Sequence, residues 1–107
     1  MSELFPQVVQ SVAGENFTVY AYMTDGTVRL YDAKPLIKRG GLFEKIADEA
    51  FFRDKLTVMN DTVAWDITGN MDAEGCIDID PFTIADCPEV SDPLEQSISA
   101  LNTERKV

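Results

Sequence analysis

The sequence predicts an α+β fold, in which a small antiparallel sheet of hairpins packs with one or two short helices and a short helix follows near the C-terminus. Three observations support this prediction. A β-branched and aromatic run at residues 17–23 precedes Asp25-Gly26 and a second strand-like run, which is typical of a hairpin. Apolar residues at helical spacing occupy the middle of the chain, and a capping signature lies near its end.

The length and charge of the chain limit its organisation and its partners. With 107 residues it suits one domain, and we assign residues 1–88 to a single α+β domain and residues 89–107 to a tail with a short helix. Nine Lys and Arg against nineteen Asp and Glu give a net charge of −10. Because nucleic acids and anionic membranes need a clustered positive surface, we expect neither as a direct partner. The acidic charge would favour binding to a basic protein partner, or it could serve only to keep the protein soluble.

The residue types that most enzymes and zinc sites require are scarce. The chain has two cysteines, Cys76 and Cys87, and no histidine. A zinc site would lack ligands, and a Ser or Cys nucleophile would lack its usual base. The first residues have neither the basic region nor the apolar run of a signal peptide. We therefore expect a cytoplasmic protein with no catalytic residues, no metal and no cofactor.

The first hairpin follows a short strand around residues 8–12 and a turn at residues 13–16. Residues 17–23 and 28–32 are its predicted strands, joined by a type I′ turn at Asp25-Gly26. This turn sets a register. It places Met23 opposite Val28, Ala21 opposite Leu30 and Val19 opposite Asp32, and with Phe17 these positions form the predicted core face.

The opposite face of the same hairpin is the candidate binding site. It would hold Tyr20, Tyr22, Arg29 and Tyr31, with Tyr22 opposite Arg29 and Tyr20 opposite Tyr31. Aromatic residues and Arg are enriched in binding hot spots, and Arg can stack on aromatic rings. Two alternatives remain: a helix could cover this face, or the tyrosine pairs could only stabilise the sheet.

Residues 33–55 are predicted to be helical. A short turn at residues 34–37 ends at Gly40-Gly41, and an apolar stripe then runs from residue 42 to residue 51. This stripe fits one bent helix, or two if Asp48 caps a second one. A second hairpin is expected around Asn60-Asp61, with a brief strand at residues 76–79. Its predicted core face consists of Leu56, Val58, Val63, Trp65 and Ile67.

Two later segments carry more specific signals. In the acidic loop at residues 66–80, the residues from Asn70 to Asp78 resemble a calcium loop, but its twelfth position is Pro81, which has no carboxylate. We expect a solvated loop there. Near the C-terminus, Asp92, Pro93 and Glu95 resemble a helix start. The apolar face of that helix, formed by Leu94, Ile98 and Leu101, would pack on the domain's own sheet or on a second copy in a homodimer.

The order of these segments resembles a bacterial family known as domain of unknown function 2442, over residues 8–86. The matching segments are VRLYDAKPLIKRGG, FEKIADEAFFRDKLTV, VAWDITGN and CIDIDPFTIAD. The resemblance implies a small antiparallel sheet on short helices and no catalytic residues. Some relatives add a helix-turn-helix domain, for which this tail is too short, and others resemble partners in toxin–antitoxin-like pairs.

These observations lead to two functional hypotheses. The first is a non-enzymatic interaction module, an antitoxin-like or regulatory partner of a small basic protein. The alternative is a small-molecule or metal-binding enzyme that uses the acidic loop at residues 66–80.

Overall fold

The computed structural model describes residues 6–72 and 75–93, and its fold is α+β as predicted. The strands form two antiparallel sheets, one in the order β1-β2-β3-β7 and the other in the order β4-β5-β6. Within the described residues, no helix is long and apolar enough to cross a membrane. The elements in chain order are β1 (Val8–Ala13), β2 (Thr18–Met23), β3 (Val28–Asp32), α1 (Lys34–Ile37), a 3-10 helix (Gly41–Ala47), α2 (Glu49–Lys55), β4 (Leu56–Met59), β5 (Thr62–Trp65), β6 (Ile77–Asp78), α3 (Pro81–Ala85) and β7 (Glu89–Val90).

The loop between β2 and β3 has three residues, so the predicted two-residue type I′ turn is wrong. The amide of Gly26 donates to the carbonyl of Met23 at 3.1 Å, and the amide of Met23 donates to the carbonyl of Thr27 at 2.9 Å. Gly26 has φ +90°, whereas Asp25 does not have a positive φ. This pattern is typical of a type I turn that closes with a glycine bulge. The prediction of a positive φ at Gly26 is confirmed.

The longer loop shifts the pairing of β2 with β3 by one residue. Ala21 lies opposite Arg29 instead of Leu30, Tyr22 lies opposite Val28, and Val19 lies opposite Tyr31. Because side chains alternate between the faces of a strand, this shift exchanges the two faces of β3. The prediction is right for β2, whose Val19, Ala21 and Met23 are buried in the core. It is wrong for the face of β3, although Val28 is buried in its position opposite Tyr22.

The second hairpin agrees with its prediction. Asn60 and Asp61 have φ values of 56° and 63°, and Met59 pairs with Thr62 around them, as in a two-residue type I′ loop. Leu56 then pairs with Trp65, and Val58 with Val63. All four side chains, with Ile67, belong to the core or pack against it, so the predicted core face is confirmed.

The helical region consists of separate short helices. Positive φ values at Gly40 and Gly41 separate α1 from the 3-10 helix. Asp48 is extended (φ −85°, ψ 119°), and its side chain accepts a hydrogen bond from the amide of Ala50 at 3.0 Å, so it caps α2. The question left open by the sequence is thereby answered in favour of two helices. A further helix that was not predicted, α3, is capped by Asp80, which accepts from the amide of Phe82 at 2.9 Å.

The core lies between the two sheets and the helices. Trp65 is fully buried, and its ring contacts that of Phe52 with 5.2 Å between centroids. Phe52 in turn meets Phe17 edge-on at 5.3 Å. Trp65 is therefore a core residue, as its alternation with Val63 and Ile67 predicts.

The folded part of the chain continues beyond residue 88. Glu89 and Val90, assigned to the tail from the sequence, form β7 and pair with Arg29 and Val28 of β3. Pro93 is helical and is the last described residue. Residues 94–102 of the predicted C-terminal helix, with Leu94, Ile98 and Leu101, lie outside the described residues.

Candidate functional site

The four residues of the predicted binding face do not share a face of the sheet. Tyr20 and Tyr22 lie on the outer face, opposite Leu30 and Val28, because the register is shifted by one residue. Arg29 and Tyr31 lie on the other side of β3, which faces the core. The three-residue loop at Thr24, Asp25 and Gly26 is the physical reason, since it moves β3 along β2 without moving β2 itself.

Arg29 and Tyr31 have partners within the domain. The Arg29 Nη1 atom donates to the carbonyl of Cys87 at 3.1 Å, and its Nε atom donates to the Thr27 hydroxyl at 3.3 Å. The bond to Cys87 holds the chain between α3 and β7 beside β3. Tyr31 packs against the core, and its burial raises the pKa of its hydroxyl. Both side chains contribute to the structure of the domain on the inner side of the sheet.

The outer face carries a patch of apolar and aromatic side chains that we name the outer face patch. Its members come from all four strands of the larger sheet, and most of them are half-buried. Their alternation on each strand follows from the observed register. They are Val12, Tyr20, Tyr22, Val28, Leu30 and Val90.

An open groove of about 650 Å³ lies on this patch, beside β7. It is lined by Tyr20, Leu30, Val90 and Pro93 together with Glu89 and Ser91, and more of its surface is polar than apolar. A concave surface that combines apolar side chains with polar groups can bind a ligand or a partner. The groove is therefore the candidate functional site, and Tyr20 is the predicted residue that lines it.

Tyr22 connects the patch to the end of the described chain. Its hydroxyl donates a hydrogen bond to Oδ1 of Asp92 at 2.7 Å. Burial, and then this hydrogen bond to a carboxylate, raise the pKa of Tyr22 to about 12. Tyr22 is therefore protonated at neutral pH and can maintain this contact.

Most residues that build the groove could not be identified from the sequence. Glu89, Val90 and Ser91 reach it because the segment after Pro88 pairs with β3, where the Leu30 amide donates to the Pro88 carbonyl at 3.0 Å. A two-residue strand has no measurable periodicity. The one available signal was Pro93, which marked the start of a helix.

The acidic loop uses several of its polar side chains to form its own turns. Oδ1 of Asp66 accepts from the amide of Met71 at 2.9 Å, and the Thr68 hydroxyl accepts from the amide of Asn70 at 3.2 Å. Oδ2 of Asp78 accepts from the Asn60 side chain at 3.2 Å. Over residues 6–72 and 75–93, no group of three or more His, Cys, Asp or Glu side chains could hold a metal ion.

The cysteines are poorly suited to nucleophilic chemistry. The two cysteines are not joined in a disulfide, and burial is the main cause that raises the pKa of Cys76 and of Cys87. The Cys87 thiol donates to the carbonyl of Thr83 at 3.3 Å. Because the thiolate is the reactive form, a raised pKa lowers reactivity at neutral pH.

Charge is unevenly distributed along the chain. Residues 56–104 contain eleven Asp or Glu and no Lys or Arg. The ion pairs among the described residues all use basic side chains from residues 34–55, in Lys34–Asp32, Arg53–Glu49 and Lys55–Asp54. The segment that contributes β7 to the groove therefore belongs to the acidic half of the sequence.

Comparisons with known protein families, with curated proteins and with solved structures find no match to this chain. The fold and the groove define it as a small α+β protein with an open apolar sheet face and an acidic half. The resemblance to the domain family named above stays a prediction.

Proposed function

We propose that this chain is a non-enzymatic interaction module that binds a basic protein through the groove on its outer face patch. An antitoxin-like or regulatory role towards a small basic partner fits this activity. The observation that carries the proposal is the groove itself, where Tyr20, Leu30 and Val90 line an open surface together with Glu89 and Ser91 of the edge strand region.

The chemistry of the groove favours a Lys or Arg side chain of the partner. Such a side chain has an aliphatic stem that can lie on Leu30 and Val90 and a charged end that can lie over the face of Tyr20, while the exposed Glu89 adds negative charge at the edge of the sheet. The net charge of −10 would also accelerate the encounter with a basic protein and would make the affinity dependent on salt.

The test is affinity capture from a lysate of the organism that encodes the chain, followed by mass spectrometry. Wild type should retain a basic protein, and retention should fall as salt rises. Tyr20→Ala and Glu89→Lys should each reduce retention by about tenfold or more, as expected for a hot spot contribution above 1 kcal/mol.

Two matched variants control for loss of an aromatic ring and for charge reversal. Phe82→Ala removes a ring from α3 that is 54% exposed, and Glu44→Lys reverses an exposed charge on the 3-10 helix. Both should retain the partner as wild type does, and thermal melting should show that all four variants are folded. A protein retained equally by Tyr20→Ala and wild type would contradict the proposed site.

A further inference from the structure

The two edges of the larger sheet differ in how they are protected. At one edge, β1 has a bulge between Val8 and Gln10, and the Val8 amide donates to the carbonyl of Asp61 in the second hairpin at 2.8 Å. A bulge and a covering segment are two ways in which proteins protect the edge of a sheet. At the other edge, β7 pairs only with β3 among residues 6–72 and 75–93. The edge at β7 is therefore the one that can accept another strand.

The pairing of β7 with β3 determines which backbone groups point outward. The Leu30 amide donates to the Pro88 carbonyl at 3.0 Å. Val90 pairs with Val28 in the same register. In an antiparallel ladder, pairs that exchange hydrogen bonds alternate with pairs that do not. Glu89 lies between the two bonded positions, so its N–H and C=O point away from β3, and no hydrogen bond of either group is seen in the described part of the chain.

The side chains on this edge indicate what an added strand would carry. Val90 lies on the outer face and lines the groove with Tyr20. Glu89 is exposed and lies on the other side, opposite Arg29. A strand beside β7 would therefore place one side chain next to Glu89 and the following one in the groove. Because opposite charges directly across a sheet attract, Lys or Arg suits the first position, and the groove favours the same residues at the second.

We propose that a basic partner binds by adding an extended segment to β7 as a fifth strand of the larger sheet, with Lys or Arg at two adjacent positions. This inference rests on the proposed function and specifies the conformation of the partner. Main-chain hydrogen bonds to Glu89 would contribute affinity, and the two basic side chains would contribute specificity. A second copy of this chain suits the edge less well, because each copy has a net charge of −10.

The open edge is short, which limits what backbone pairing can contribute. Pro88 has no amide hydrogen. Before it, the Cys87 carbonyl already accepts from Arg29, and the Cys87 amide donates to the carbonyl of Ile84. Strand addition is therefore confined to Glu89 and the residues that follow it. Binding should consequently require both the backbone hydrogen bonds and the groove.

Nuclear magnetic resonance of the full-length chain with a synthetic peptide tests the inference. The peptide has eight residues, alternating threonine and valine with two adjacent lysines at the centre. At saturation, hydrogen exchange at the Glu89 amide should slow by about tenfold or more. N-methylation of both lysine amides keeps the side chains and removes the donor that faces β7, so it should weaken binding by about tenfold. A peptide with two glutamates in place of the lysines should not bind.

Two substitutions at one position separate the backbone from the side chain. Glu89→Pro and Glu89→Ala both remove the carboxylate, but only Glu89→Pro removes the outward amide hydrogen. Glu89→Pro should bind the lysine peptide about fivefold more weakly than Glu89→Ala. Thermal melting shows whether each variant is folded. If Glu89→Pro does not fold, the N-methylated peptide with the wild-type chain tests the same hydrogen bonds.

Several results would overturn the inference. They are no binding of the lysine peptide, equal binding of the plain and N-methylated peptides, and a Glu89 amide that stays unprotected in the complex. Protection of this amide without peptide, in a sample that sediments as a dimer, would assign the edge to a second copy. The two proposals fail separately. Peptide binding that Tyr20→Ala abolishes, with the Glu89 amide unprotected, would contradict strand addition alone. Protection of this amide, with full retention of the partner by Tyr20→Ala and Glu89→Lys, would contradict the groove as the partner site alone.

Discussion

The hydroxyl of Tyr22 donates a hydrogen bond of 2.7 Å to the carboxylate of Asp92, a residue 70 positions later in the sequence. This bond joins the first hairpin to the last described residues. Together with the pairing of Val90 and Val28, it holds the segment after α3 against the sheet that carries the groove. It therefore connects the stability of the domain to the geometry of the candidate site.

Replacing Tyr22 with Phe should destabilise the protein by about 1 kcal/mol, because the mutation removes a hydrogen bond to a charged acceptor and keeps the ring. Urea denaturation measures this change. Hydrogen exchange should also become faster at Val90. Tyr31→Phe is the control, since no hydrogen bond of the Tyr31 hydroxyl is seen among the described residues. It should lower the free energy of unfolding by less than Tyr22→Phe does. Equal losses in both variants would argue against a specific role for the Tyr22–Asp92 bond.

Stability should fall in alkaline solution as Tyr22 ionises. Its pKa is about 12 in the folded protein, above the ordinary value of 10.0, so the folded state holds the proton more tightly than the unfolded state does. The stability that this raised pKa contributes to the folded state is fully present below pH 10 and is lost as the pH rises through about 12. Because the pKa of Tyr31 is also raised, ultraviolet titration should show late ionisation of both tyrosines, and Tyr22→Phe should remove the transition near pH 12. Persistence of that transition in Tyr22→Phe would assign it to Tyr31.

The loop of the first hairpin should depend on glycine at position 26. Gly26 has φ +90°, and a Cβ atom there would have no neighbour within 4 Å, so any cost of substitution comes from the backbone. Gly26→Val should destabilise by about 1 kcal/mol or more, because β-branched residues disfavour positive φ. Gly26→Asn should cost less, since Asn tolerates this region. Thermal denaturation compares the two, and a wild-type melting temperature for Gly26→Val would refute the assigned loop.

Calcium at millimolar concentration should give no saturable binding heat. In the acidic loop, Asp66 accepts from the amide of Met71, Asp78 accepts from Asn60, and Pro81 occupies the position where a calcium loop needs a bidentate carboxylate. Isothermal calorimetry with the full-length chain measures the heat, and magnesium under the same conditions controls for screening. A one-to-one calcium isotherm would support the alternative function of this loop.

The two hairpins show how far the sequence predicts this fold. Around Asn60-Asp61, the alternation of Val58, Val63 and Trp65 and the two-residue loop indicate the same register, and that register is observed. In the first hairpin, Asp25-Gly26 suits both a two-residue and a three-residue loop. Both strands have apolar or aromatic residues on both faces, so the alternation of residue types is compatible with either loop length.

The candidate site was predicted only in part for the same reason. The run of residues 17–23 identified Tyr20 and Tyr22 as neighbours on one face of β2, and this is observed. Arg29 and Tyr31 were assigned to that face through the register of β3, and the one-residue shift moved them to the inner side. Glu89 and Val90 became part of the groove through pairing with a strand about sixty residues earlier, which no local pattern encodes.

The α+β class, the two hairpins, the buried Trp65 and the acidic charge could all be predicted from the amino-acid sequence, because periodicity, turn chemistry and composition act locally. The set of residues that lines the groove is instead an outcome of the packed domain. That outcome depends on the one-residue shift at Gly26 and on the return of β7 to β3, and the free energy of both comes from contacts between distant segments. Such contacts are set by the packing of the whole domain, and that packing brings Asp92 to Tyr22.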